Sequence, residues 1–192
     1  LHRMLENGVT RIECKSGYGL SPEHELKQLE AIRELGRQQP IELEATYLGA
    51  HALPDDFDGR PDEFIETIAS PQLFAEIARR GLARFCDVFC DRGAFDAAQA
   101  RRVLERAAAA GLRPKLHADE LAQIGATRLA GELRAVSADH LEHIDDAGIA
   151  ALLATGAVAV VLPGTSFYLG IPHCDARRLI EAGAAAVMPL AA

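Results

Sequence analysis

The sequence runs to 192 residues with 49% hydrophobic and 25% charged side chains, an ordinary balance for a chain that buries one sizeable core as a single domain over 1–192. Its formal net charge is −8 with no cluster of Lys and Arg, which argues against nucleic acid or an anionic membrane as partner. No apolar run approaches bilayer-spanning length and no signal peptide is visible, so the chain reads as a cytoplasmic protein. Cys14, Cys86, Cys90 and Cys174 fit neither a disulfide framework nor a CxxC metal clip and read as buried thiols.

In chain order, residues 1–7 read as a helix tail stopped by Gly8, and 9–14 as a strand running into Lys15-Ser16-Gly17-Tyr18-Gly19. Ser21-Pro22-Glu23 is a helix start: a capping hydroxyl, a proline whose missing N–H costs nothing, and a first-turn carboxylate. Leu26, Leu29, Ile32 and Leu35 follow at helical spacing, and a strand over 41–48 delivers Gly49-Ala50-His51. The unit then repeats. A helix over 61–80 is interrupted at Ser70-Pro71, a strand covers 85–90, and Asp96 with Gln99 forms a capping box for a helix closed by Gly111. A strand over 112–116 presents His117 at its end, followed by a glycine-diluted helix over 123–133 and a strand over 135–138 ending at Asp139-His140. A helix over 145–155, with Ile149, Leu152 and Leu153 on one face, precedes an apolar strand over 157–162, a helix over 176–182 and a last strand over 185–188.

Seven apolar strands with helical crossovers imply an α/β fold with a parallel sheet covered on both faces. An open doubly wound sheet is the alternative, but no Gly-x-Gly-x-x-Gly follows the first strand. Tyr18, His51, Cys90, His117, His140 and Pro163-Gly164 all fall at C-terminal strand ends, which in a (β/α)₈ barrel share the rim where active sites are built. Seven strands rather than eight suggests that one lies outside this chain, which opens on Leu1 rather than Met. The expectation is a partial TIM barrel.

Neutral imidazole is the commonest metal ligand, and Glu120, three residues after His117, has the chemistry of an acid, base or hydrogen-bond partner. A lone His-x-x-Glu is more often ordinary polar decoration. Three histidines at equivalent strand ends, His51, His117 and His140, favour a site. His143 reads as an exposed helix start, and His2, His24 and His173 as surface residues.

Six collinear stretches carry a resemblance: KSGYGL (15–20), LGAHALP (48–54), DVFCDRGAF (87–95), KLHADEL (115–121), VSADHLEHI (136–144) and VLPGTSFYL (161–169). Together they resemble imidazolonepropionase, the histidine-degradation enzyme of the metal-dependent amidohydrolase superfamily. The resemblance implies a barrel with one divalent metal ion, zinc or iron, whose bound water opens the ring of 4-imidazolone-5-propanoate to give N-formimidoyl-L-glutamate. By motif, His117 would be a metal ligand. Glu120 would hydrogen-bond the ring nitrogens and move a proton, His140 would polarise the attacked carbonyl, and Tyr18 and His51 would contact substrate. The implied partners are the imidazolone and, as an option, a second copy in a homodimer. The resemblance also implies that the first barrel strand with its His-x-His pair, an arginine for the propionate and most of a flanking β-domain lie outside this chain. Ala191 stands where an Asp ligand is expected, so residues 189–192 read as a non-native end. Another cyclic-amide amidohydrolase, or a non-catalytic barrel fragment without the full metal set, are the competing readings.

Overall fold

Turn residues cut the chain into alternating strands and helices, and most helix starts carry their own caps. A computed structural model describes residues 1–189. A short helix α1 (His2–Glu6) and strand β1 (Arg11–Lys15) lead to α2 (Pro22–Gln38), where the Ser21 hydroxyl accepts from the His24 amide and Pro22 occupies the first turn. Strand β2 (Glu42–Ala50) and a 3-10 turn (Asp55–Phe57) follow, then α3 (Pro61–Ile68) and α4 (Pro71–Arg80). The expected break falls between these two helices: the Ser70 side chain accepts from the Leu73 amide, and Pro71 opens the new helix. After β3 (Phe85–Cys90), Asp96 and Gln99 close the expected capping box at the head of α5 (Ala97–Ala109). The remaining elements are β4 (Arg113–Pro114), β5 (Leu116–Ala118), α6 (Ala126–Glu132), β6 (Ser137–His140), α7 (Asp146–Thr155), β7 (Val158–Val160), α8 (Pro163–Leu169), α9 (Ala176–Glu181) and β8 (Ala186–Val187).

Every pairing is parallel, in the order β1-β2-β3-β5-β6-β7-β8, and β4 and β5 are two pieces of one crossing beside β3, split at Lys115. That gives the expected seven positions, curled into a partial barrel open between β1 and β8. The outer face of the sheet supplies the core. Cys86, Val88 and Cys90 share one cluster with Phe64, Ile68, Phe74, Ile77, Val103 and Leu104 of the covering helices. Tyr47 packs edge-to-face on Phe74, with ring centroids 5.6 Å apart, and its hydroxyl donates to the Ile68 carbonyl at 2.5 Å. Each large side chain buried in this way contributes roughly 1.5–3 kcal/mol.

Several expected boundaries move. β6 covers Ser137–His140 rather than 135–138, because the Ala135 amide is still tied to the Ala130 carbonyl in the turn leaving α6. His140 therefore closes the strand instead of following it. His117 sits inside β5, and α6 starts only after Gly125, which has a left-handed φ of 84°. Leu153 is 43% exposed while Ile149 and Leu152 are buried; α7 is apolar all round, so its sequence marks no single buried stripe. Pro163-Gly164, at the C-terminal end of a strand as expected, also opens a helix, α8, for which the sequence carries no expectation. All four cysteines are free, but only Cys86 and Cys90 are buried; Cys14 and Cys174 are half-buried.

Candidate active site

Alternate residues of a strand face opposite sides, and in this sheet the inner side is polar. Glu13 and Lys15 on β1, Thr46 on β2, Asp87 on β3, Lys115 ahead of β5, and Ser137 and Asp139 on β6 form one bonded network. Lys15 Nζ donates to Asp87 Oδ2 at 2.5 Å and to Asp139 Oδ2 at 2.7 Å. Lys115 Nζ donates to Glu13 Oε2 at 2.6 Å, the Thr46 hydroxyl to Glu13 Oε1 at 2.5 Å, and the Ser137 hydroxyl to Asp139 Oδ1 at 2.8 Å, and an ion pair of 3.6 Å between Lys15 and Glu13 joins the two sets. Burial works against the Lys15 ammonium, but Asp87, Asp139 and Glu13 outweigh it and raise its pKa above the ordinary lysine value. Burial likewise works against the Asp87 carboxylate, but His117 and Lys15 hold its pKa below the usual range. Asp139 is also lowered, with Lys15 and Lys115 opposing its burial.

Above this layer the histidines and Glu120 come together. Tyr18 and His51 rings lie 5.0 Å apart edge-on, His51 and His117 6.3 Å apart, and His117 and His140 5.0 Å apart. His140 Nε2 is 3.5 Å from Glu120 Oε2. Phe89 packs beside both His51 and His117, at 6.0 and 5.8 Å from their rings. The five residues singled out from the sequence thus form one continuous run, with Tyr18 at its edge, 80% exposed. His51 is steadied by its Nδ1, 3.1 Å from the Gly17 carbonyl. Cys90, also placed at the rim by sequence, is fully buried, and burial together with the Asp119, Asp91 and Asp96 carboxylates pushes its thiol up to about 12. His2, His24 and His173 are exposed as expected, whereas His143 is half-buried, its amide donating to the Asp119 carbonyl.

Backbone geometry holds the rim in place. Asp119, His140 and Leu141 have left-handed φ values of 51°, 82° and 69°, a cluster of strain of the kind that surrounding contacts must over-determine. Those contacts are present. Asp119 accepts from the Ile124, Ala126 and Thr127 amides and the Thr127 hydroxyl, and the Leu141 amide donates to the Ala118 carbonyl. Asp91 Oδ2 accepts from the Glu120 and Leu121 amides at 2.6 and 2.9 Å, which fixes the turn carrying Glu120.

The charge states follow from burial. It pushes Glu120 up to about 7, with Glu142 and Asp91 adding to the effect and His117 opposing it. Burial also pushes His140 down to about 3, and it lowers His51. An ion pair between Glu120 and His140 would shift both groups the other way, so their 3.5 Å contact joins a neutral imidazole to a carboxyl poised near neutrality. Such a carboxyl is placed to exchange protons at working pH.

Asp87, His117 and Asp139 each bring one donor atom within 4.8 Å of the others, a candidate metal-binding group. Two of the three are already engaged, because an ammonium between Asp87 and Asp139 takes the place a divalent cation would need. His117 does fit. Its Nδ1 lies 2.9 Å from Asp87 Oδ2, in an approach too bent for an aligned hydrogen bond, and Nε2 has no partner among the described residues. Position 191, where an Asp ligand was expected and Ala stands, lies outside the described residues. Sequence reasoning missed Lys15, Asp87, Asp91 and Asp139. A charge inside the apolar stretch Phe85–Cys90 was the signal available for Asp87.

No family model matches the chain. It is 49% identical over 183 residues to imidazolonepropionase from Geobacillus kaustophilus, covering 95% of this chain and 43% of that protein. The Bacteroides fragilis imidazolonepropionase is 47% identical over 190 residues, covering 98% and 45%. The chain thus spans less than half the length of the curated relatives it matches. Among solved structures, atrazine chlorohydrolase from Arthrobacter aurescens complexed with zinc and atraton superposes with a TM-score of 0.69 at 14% identity, over 98% of this chain and 47% of that one, which shows the fold. The chain is thus similar to the imidazolonepropionases along nearly all of its own length.

Proposed function

We propose that this chain forms the central barrel segment of an imidazolonepropionase, a hydrolase that opens the ring of 4-imidazolone-5-propanoate to N-formimidoyl-L-glutamate in histidine degradation. The observation that carries the reading is the convergence of Glu120, His140 and His117 at one rim, where burial pushes the Glu120 carboxyl up to about 7 and keeps His140 neutral. Ring opening adds water across the carbonyl carbon–nitrogen bond, so one group must take a proton from water and return it to the departing nitrogen. Glu120 titrates where both transfers are easy at neutral pH. His140, kept uncharged by burial, donates a hydrogen bond toward the carbonyl oxygen without holding a proton that Glu120 needs. His51 and the exposed ring of Tyr18 form the open side of the run and contact the substrate. His117 would hold a metal ion, zinc or iron, through Nε2, and such an ion supplies Lewis acidity that makes bound water a nucleophile at neutral pH.

The test is a hybrid in which this segment replaces the matching segment of the Geobacillus kaustophilus relative. The hybrid should open the imidazolone ring, followed as loss of its ultraviolet absorbance. A folded hybrid without turnover would refute the reading.

A further inference from the structure

Three carboxylates face the inner side of the sheet near Lys15, but only one of them also touches a rim histidine. Asp87 Oδ1 accepts from the His117 amide at 3.1 Å, and its Oδ2 lies 2.5 Å from Lys15 Nζ and 2.9 Å from His117 Nδ1. Asp139 shares Lys15, at 2.7 Å, but its other oxygen is taken by the Ser137 hydroxyl. Both acids are fully or nearly fully buried, so neither is free to swing toward another partner.

We propose that Asp87 is a positioning residue that holds His117 by backbone and ring together, fixing the tautomer with the proton on Nδ1 and leaving Nε2 bare. A carboxylate accepts at both oxygens, and its two bonded partners, the His117 amide and the Lys15 ammonium, are donors, so a ring nitrogen 2.9 Å from Oδ2 costs less as an N–H than as an opposing lone pair. Lys15 keeps the carboxylate ionised and draws Oδ2 toward itself, which accounts for the bent approach to Nδ1. An Asn at position 87 would have one acceptor for three donors, so its NH₂ would face a donor in either orientation. The least costly response is for the imidazole to move its proton to Nε2 and accept at Nδ1. The catalytic value of a bare Nε2 rests on the proposed function; the tautomer does not.

Long-range ¹H–¹⁵N NMR of the metal-free, histidine-labelled chain reads the tautomer directly, at a pH about two units above the ordinary imidazole value of ~6.5. His117 should show a protonated Nδ1 and a downfield, unprotonated Nε2. Asp139→Asn, which removes the other partner of Lys15, should leave that pattern in place. Asp87→Asn should shift the Nε2 resonance upfield as the proton moves. A protonated Nε2 in the parent chain, or an unchanged pattern in a folded Asp87→Asn variant, would overturn the proposal. Should that variant not fold, the parent chain decides: a slowly exchanging Nδ1–H on His117 supports the assignment, and a rapidly exchanging or absent one overturns it. Neither metal nor substrate enters the measurement, so its failure is separate from failure of the hybrid to turn over.

Discussion

Glu120 and His140 stand 3.5 Å apart and move stability in opposite directions with pH. His140 is held at about 3 in the fold against 6.5 in the open chain, so between those values the unfolded state binds the extra proton. Its contribution is intact above about pH 6.5 and is lost as pH falls toward 3, by at most about 1.4 kcal/mol per unit. Glu120, raised from 4.5 to about 7, binds its proton first in the fold, so its contribution grows as pH falls from 7 toward 4.5. Urea unfolding across this range should therefore show a flatter acid loss for His140→Asn and a steeper one for Glu120→Gln. Parallel curves for parent and both variants would contradict these assignments. At this scale the sequence pointed to Tyr18, His51, His117, Glu120 and His140, because each lies near or just past the C-terminal end of a strand. It hid Lys15, Asp87 and Asp139, because their roles depend on which strands face one another across the barrel.

Elements pack by close approach that propensity alone does not report. Gly131 lies within α6, where alanine would be favoured by about 1 kcal/mol on propensity. A Cβ there would meet the Ala151 Cβ of α7 at 2.7 Å and the Ala151 carbonyl oxygen at 3.0 Å. Sterics should win, and Gly131→Ala should destabilise by about 1–3 kcal/mol in chemical denaturation. A more stable variant would show that α6 and α7 separate without cost. In the sequence this glycine looked like a flaw in a weak helix, whereas the structure makes it a contact surface. β3 and the Asp96–Gln99 capping box were legible because their signals are local. The start of β6 and the existence of α8 were not, since a turn hydrogen bond from Ala135 and a proline that serves equally in turn or helix decide them.

Across the whole molecule, the inner network ties β1 to β3, and to β6 far along the sheet, through Lys15. Replacing Lys15 by Met keeps most of the volume but strands two buried carboxylates. Breaking such a pair costs about 3–5 kcal/mol, so the variant's urea midpoint should fall sharply. A midpoint near that of the parent would mean that water reaches these acids and that the network matters little. The barrel class was readable from apolar strands at regular intervals with polar ends. The charged interior was not, because the apolar barrel filling expected of this architecture is replaced here by paired ions.

Whether this segment carries the acid–base group of a ring-opening hydrolase, as proposed, is read out by Glu120→Gln in the Geobacillus hybrid. Gln keeps the size and hydrogen-bonding reach of Glu120 but cannot relay a proton. Turnover of the imidazolone should fall by roughly 10²–10⁴-fold with metal content unchanged, since the proposed ligand is His117 and not Glu120. Turnover within a few-fold of the unsubstituted hybrid, or loss of metal along with activity, would remove Glu120 from that role.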